Sequence, residues 1–579
     1  MLGALLAICW LAGLLYSAQL FAGRTALDTA ARIRYALVLG CAEPLGLSVF
    51  HVFHPIPLLI LTLALCIACR FSAGGSFDLR VLRRSETAVV LAALAAASPN
   101  IVRPPLDGDS LRYHLANAIT WVQSGSLDPT WMWYWWYPGG SELVVAGFIC
   151  AGGMWIAGVP SLMAAMMLIL RMQGWLRELS VGPAAAVSIA ASFLTIPAAA
   201  LQTYDARNDL VSAAWFCESL WMLRKEPARA SIALAMLSLI KPNGWLLALV
   251  AILCAGKPRD LVALIPVGLW AVHDLLLDRH AVVTIASAGL YNAWHTTIAA
   301  NVPQSLTVLG QALLNQKPAT AVLFVAAFLG VLVKDDRRIA LSGLVCMVAF
   351  LFTPLSFVSY LPTLATGASL RYALPGMAVG ALALAPIARR FPLPIAIAGT
   401  LSAAFGLAQV FEIFVNDRFT IISWAGVVII GALATIREPM VRAVAVSLST
   451  LSLFLAGAGL ARARATSFYA DEMPKTQGNP TAFFEWFTRH AHVADVIDIR
   501  AGELLVLAPG AHIVDAAQVD CEAASRAGAW IIVGVDRDVP MALREARFAG
   551  ARKCGPTLFS DEAIVVSSPR GGPRHARGR

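Results

Sequence analysis

Runs of roughly twenty apolar residues recur from Met1 to about Leu460, separated by short stretches rich in arginine. No other feature constrains the fold as much. A helix of about 20 apolar residues crosses the hydrocarbon core of a bilayer. Lipid offers no partner to backbone N–H and C=O groups, so only helices and closed barrels can span it. These runs are continuously apolar and do not alternate, which selects helices. Composition agrees. The 579 residues are 58% hydrophobic and 14% charged, whereas a soluble domain carries about 25% charged residues.

Hydropathy predicts about sixteen spans, near 3–22, 35–53, 55–71, 86–101, 150–170, 183–202, 209–223, 229–240, 243–256, 260–277, 318–333, 339–356, 373–388, 392–411, 419–436 and 441–460. The pair 229–240 and 243–256, split by Lys241-Pro242-Asn243-Gly244, could instead be one broken hairpin, and 138–170 could hold a re-entrant segment. Loop charges set the orientation. Up to Ala461, 21 Lys and Arg fall on one side of the alternation and 8 on the other. By the positive-inside rule the richer side is cytoplasmic. The protein is then expected to be multi-pass in the inner (plasma) membrane. Its N-terminus, the loop holding Asp107 and everything after Ala461 face the periplasm or exterior. The net charge of +9 resides largely in these orienting loops and does not indicate a nucleic-acid partner.

The first run carries no basic start, so it reads as a retained helix, not a cleaved leader. Eight of the ten cysteines lie in or beside apolar runs. Cys66 and Cys69 of "CIAC" read as small buried hydrophobes, not as a metal or redox pair. Cys521 and Cys554 lie in the polar tail, where an oxidising compartment could bridge them or leave them free.

Four polar segments face outward. "LDGDSLRYHLANAIT" follows a Pro104-Pro105 break and opens a helix running to Gln123, with Asp107 or Asp109 as its cap and Gly125 as its stop. In the next stretch, six of the eight residues from Thr130 to Tyr137 are aromatic. That suits a headgroup anchor, a wall for a lipid tail or a stacking surface for a sugar. Glu142 follows. The other segments hold Asp205, Arg207 and Asp209 in "TYDARNDL", His295 in "YNAWHTT", and Arg371 with Tyr372 in "SLRYALPG"; Lys241 adds a cation at an outer helix end. Ionisable groups at membrane depth are costly and tend to line cavities. Asp107, Asp109, Arg112, His114, Asp205, Asp209, Lys241 and Arg371 are far apart in sequence yet map to one side. Residues 462–579 change in composition, and "ELLVLAPGAHIVDA", "GAWIIVGVD" and "EAIVVSS" read as short strands beside two helices. The expected architecture is therefore an all-α polytopic membrane region, 1–461, followed by a small extracytoplasmic α/β domain, 462–579.

Four elements carry a resemblance: "DGDSLRYHL" followed by "WYPGGSEL", acidic residues before a later span in "YDARNDL", the lysine of "LIKPNGW", and "LRYALPG". Together with a soluble C-terminal domain, they make the chain resemble the GT-C superfamily of membrane glycosyltransferases. Within it, the bacterial relatives of the protein mannosyltransferases (family 39) and the lipid A aminoarabinose transferases look most similar. About three additional spans precede the acidic loop here. The resemblance implies a polyprenyl-phosphate-linked sugar as donor, a lipid, glycan or protein acceptor, and inversion at the anomeric carbon. It gives the base role to Asp107 or Asp109 and the grip on the lipid phosphate to Lys241 and Arg371. Arg112, His114, Asp205, Asp209, His295 and Tyr372 become substrate contacts. If a divalent cation such as Mg or Mn is used, Asp107, Asp109 and Asp205 are its candidate ligands. Two competitors remain: a transporter or flippase of lipid-linked sugars, and a surface-polysaccharide polymerase or ligase. Transporters place their charges near the bilayer midplane and often show repeated halves. This chain does neither.

Overall fold

In a computed structural model the chain is mostly helical. The structure describes residues 2–21, 28–72, 84–101, 114–127, 137–152, 156–277, 318–332, 336–352 and 370–412. It also describes isolated positions such as Ser110 and the short C-terminal segments 496–498, 512–514, 521–522, 531–534, 552–560 and 564–567. The expected spans 419–436 and 441–460 lie outside these residues, as do the aromatic residues from Trp131 to Trp136.

The described helices are α1 (Leu2–Ser17), α2 (Thr29–Val49), α3 (Pro55–Ser72), α4 (Arg84–Ile101), α5 (Leu115–Ser124), α6 (Gly140–Gly152), α7 (Val159–Glu178), α8 (Pro183–Leu194) and α9 (Pro197–Ala200). They continue with α10 (Asp209–Lys225), α11 (Ala230–Ile240), α12 (Pro242–Ala255), α13 (Ile265–Leu277), α14 (Pro318–Leu329), α15 (Arg337–Leu351), α16 (Leu374–Ala383), α17 (Ala385–Arg390) and α18 (Pro392–Glu412).

Three described segments are long and apolar enough to cross a bilayer by length and composition: Pro55–Ser72, Val159–Glu178 and Leu370–Arg390. How they are covered is informative. α7 is buried almost all round, whereas α3 leaves Ile56, Ile60, Leu63, Ile67 and Phe71 exposed, the last to 83%. Their three- and four-residue spacing makes one continuous stripe. α18 presents a second stripe, Leu393, Ile397, Leu401 and Phe405. Water tolerates no such surface over whole helices; lipid does. The chain is an integral membrane protein whose core is built on α2, α7 and α10.

Helix limits differ from the hydropathy reading where charge misled it. α2 begins at Thr29, earlier than the expected span, because Asp28 caps it by accepting from the Ala31 N–H at 2.6 Å. Arg34, read from sequence as a loop charge, is inside α2 and fully buried. Its Nη1 lies 2.6 Å from Glu218 of α10, which also accepts from Arg171 Nε of α7 at 2.7 Å. Arg171 stacks on the Trp221 ring at 3.6 Å. The region 138–170 contains two helices, α6 and α7, instead of one. α5 ends as expected at Gly125, whose φ of 69° only glycine adopts without strain.

Near the C-terminus, five short strands form a mixed sheet in the order β2-β1-β3-β5-β4. They are β1 (Val496–Asp498), β2 (His512–Val514), β3 (Ile531–Gly534), β4 (Thr557–Ser560) and β5 (Ile564–Ser567). β1 pairs in parallel with β2 and β3, while β5 runs antiparallel to β3 and β4. Cys521 and Cys554 are disulfide-bonded.

Candidate active site

Three helices begin at one place, and each start is dictated locally. α10 opens with Asp209, a carboxylate in the first turn where the helix dipole favours negative charge. Gln202 Oε1 accepts from the Leu210 N–H at 3.1 Å, satisfying one donor that the helix start leaves unpaired. Between α11 and α12, Lys241 is fully extended (φ −169°, ψ 171°). Pro242 enforces this, since the residue before a proline avoids helical backbone. Asn208 Nδ2 donates to the Ile240 carbonyl at 3.1 Å, tying the start of α10 to this break. The third helix, α16, follows a 3-10 turn over Leu370–Ala373 that carries Arg371 and Tyr372.

The charged groups of these starts meet on Asp209. Lys241 Nζ bonds its Oδ1, and Arg371 Nε lies 3.4 Å from its Oδ2. Arg371 Nη2 donates to the Tyr372 hydroxyl at 3.1 Å, and Lys241 Nζ sits 5.4 Å from the centre of the Tyr372 ring. One carboxylate thus faces two cations, for a surplus of one positive charge. The three helix N-termini add their own partial positive charge. Such a place attracts an anion.

Asp205 turns elsewhere. Its Oδ2 accepts from Arg207 Nε at 2.7 Å and its Oδ1 from the Arg207 N–H at 3.0 Å. The loop carrying this pair is fixed on two sides. Ser161 Oγ donates to the Asp205 carbonyl at 2.6 Å, and the Ala206 N–H donates to Ser110 Oγ at 3.1 Å. Ser110 directly follows Asp109 in the chain. One helical turn on, buried His114 bonds through Nδ1 to Glu142 Oε1 in the first turn of α6.

Of the residues singled out from sequence, Asp209, Lys241, Arg371 and Tyr372 form one cluster. Asp205 sits beside it, paired with Arg207, and His114 pairs with Glu142. Asp107, Asp109, Arg112 and His295 lie outside the described residues. Among the described residues no group of three or more His, Cys, Asp or Glu converges as a metal site would, and the carboxylates of Asp205 and Asp209 are both turned onto cations.

No known protein family matches the chain, and no curated protein does. Among solved structures, the crystal structure of ArnT from Cupriavidus metallidurans bound to undecaprenyl phosphate is similar. It is 12% identical with a TM-score of 0.47, over 83% of this chain and 97% of that one.

Sequence reasoning passed over Gln202, Asn208 and Ser110, which hold the cluster's backbone in place. Their signal was available: "QTYDARND" is the densest polar run between two apolar segments in this part of the chain.

Proposed function

We propose that the chain is an inverting glycosyltransferase that moves a sugar from a polyprenyl-phosphate donor to an envelope acceptor at the extracytoplasmic face. The observation that carries this reading is the meeting of Lys241 and Arg371 on Asp209 where three helices begin. That geometry suits the phosphate of a lipid whose tail stays in the bilayer, and the bias of loop charge puts this end of the bundle outside. Arg371 offers a planar, forked donor set and Lys241 a point charge.

In the reaction, an acceptor hydroxyl attacks the anomeric carbon and gives its proton to Asp107 or Asp109. The bond from that carbon to the phosphate oxygen breaks, and the electron pair leaves with the lipid phosphate. Lys241 and Arg371 stabilise the negative charge that grows there. In this proposal residues 462–579 form an extracytoplasmic α/β domain closed by the Cys521–Cys554 bridge. The acceptor is a lipid, glycan or protein of the envelope.

One feature favours transport of a lipid-linked sugar instead. The extended Lys241 breaks a pair of short helices, as in many transporters. An assay in liposomes separates the two. With a polyprenyl-phosphate sugar and envelope extract as acceptor source, the glycosyltransferase releases bare polyprenyl phosphate and labels an acceptor. Movement of the intact lipid across the bilayer with no release of polyprenyl phosphate overturns the proposal.

A further inference from the structure

We propose that Glu142 and His114 form the pocket that recognises the transferred sugar, with Glu142 Oε2 accepting a hydrogen bond from the sugar ring. The inference rests on reading the Lys241–Arg371 cluster as the lipid-phosphate site.

Glu142 is 5% exposed, and its Oε1 is taken by His114 Nδ1. Its Oε2 is buried and has no partner among the described residues. A buried acceptor left unmade costs about 1–3 kcal/mol, and more when charged. Native structures rarely keep such an atom without a use. The missing partner is a donor, and it is not a phosphate, which a carboxylate repels. A ring hydroxyl or amine supplies the needed N–H or O–H.

Position supports the same assignment. A side chain on Gly140 would lie 3.0 Å from the Leu239 carbonyl oxygen, so the start of α6 rests directly on the chain two residues before Lys241. Gly139 lies as closely against Trp121, and the Trp121 and Trp270 rings meet edge to face at 6.0 Å. His114 and Trp121, seven positions apart around α5, share a helix face. A carboxylate with one oxygen open, beside aromatic rings and next to the phosphate cluster, matches a sugar: polar at its hydroxyls and apolar across its C–H face.

The test is binding of the purified full chain, in detergent, to two kinds of probe by native mass spectrometry. One is undecaprenyl phosphate; the other is the same lipid bearing one hexose or pentose from a small panel. Wild type is expected to bind at least one sugar-bearing lipid about tenfold more tightly than the bare lipid, a factor within reach of one charged hydrogen bond. Glu142→Ala and the shape-preserving Glu142→Gln are expected to lose that preference while binding bare undecaprenyl phosphate as wild type does. Binding of the bare lipid thus serves as the folding control. Either variant keeping the full preference while bare-lipid binding holds overturns the pocket. So does loss of bare-lipid binding in both, which would make Glu142 part of the phosphate site or of the frame. A wild type that binds the bare lipid yet prefers no sugar-bearing form also overturns the pocket and leaves the phosphate site standing. A wild type that binds neither probe overturns the phosphate site, and the pocket falls with it.

Discussion

Asp209 and Lys241 meet head to head at the starts of α10 and α12, with side chains only 6% and 10% exposed. Each would be an uncompensated buried charge without the other. Asp209→Ala leaves Lys241 and Arg371 facing each other with no carboxylate between them. Breaking a buried pair this way typically costs about 3–5 kcal/mol. The double variant Asp209→Ala/Lys241→Met is expected to recover part of that loss in a double-mutant cycle of unfolding in detergent. Simple addition of the two single losses would deny the pairing.

Lys241→Met and Arg371→Met address the chemistry more than the frame. Removing one preorganised donor to a developing negative charge lowers kcat by about 10² to 10³. Both variants should therefore fold, as judged by size exclusion and thermal unfolding, yet transfer sugar at least about a hundredfold more slowly. Near-normal turnover in both would take the leaving phosphate away from this cluster.

Asp107→Asn and Asp109→Asn separate a general base from a helix cap. Asparagine caps well, so expression and unfolding temperature should hold. Loss of the base lowers the rate by about 10² to 10⁴. At least one variant should show it, and two fully active variants would leave only the cap.

Glu218 is the hub of the buried network formed with Arg34 and Arg171. Glu218→Leu strands two guanidinium groups away from water and should cost several kcal/mol, on the order of 3–5, by the same reasoning as for any severed buried pair. Glu218→Gln, which keeps the acceptor oxygen, should cost less. Equal stability of wild type and Glu218→Leu in detergent unfolding would refute the network's structural role.

Membrane orientation is open to reporter fusions. Fusions after Pro105, Tyr291 and Arg464 should report outside, and those after Arg84 and Arg338 should report cytoplasm. A cytoplasmic result at Arg464 would separate the C-terminal domain from the proposed site.

The membrane class and most helix positions could be read directly because apolar runs and arginine-rich loops are long-range, redundant signals. Charge inside a helix was harder. Arg34 counted toward the cytoplasmic loops, yet it is buried against Glu218, a partner 184 positions away that no local pattern reveals. The cluster was half legible: Asp209, Lys241 and Arg371 stood out as charges next to apolar runs. That Asp205 would turn onto Arg207, two residues on, depends on loop backbone that hydropathy does not encode. Short strands were similarly mixed. β3 and β5 announced themselves by β-branched residues, whereas β1 and β4, three and four residues long, carry too little pattern to register.

α10 bears both Asp209 and Glu218, nine residues and about 14 Å apart along its axis and on opposite faces. One end is bolted to α12 and the turn before α16, and its middle to α2 and α7. A rod fastened at two heights on two sides can neither roll nor slide without breaking a buried ion pair. Any opening that admits a long lipid must then come from walls other than this one, so the cationic half of the site stays a fixed post around which the rest of the catalytic cycle moves.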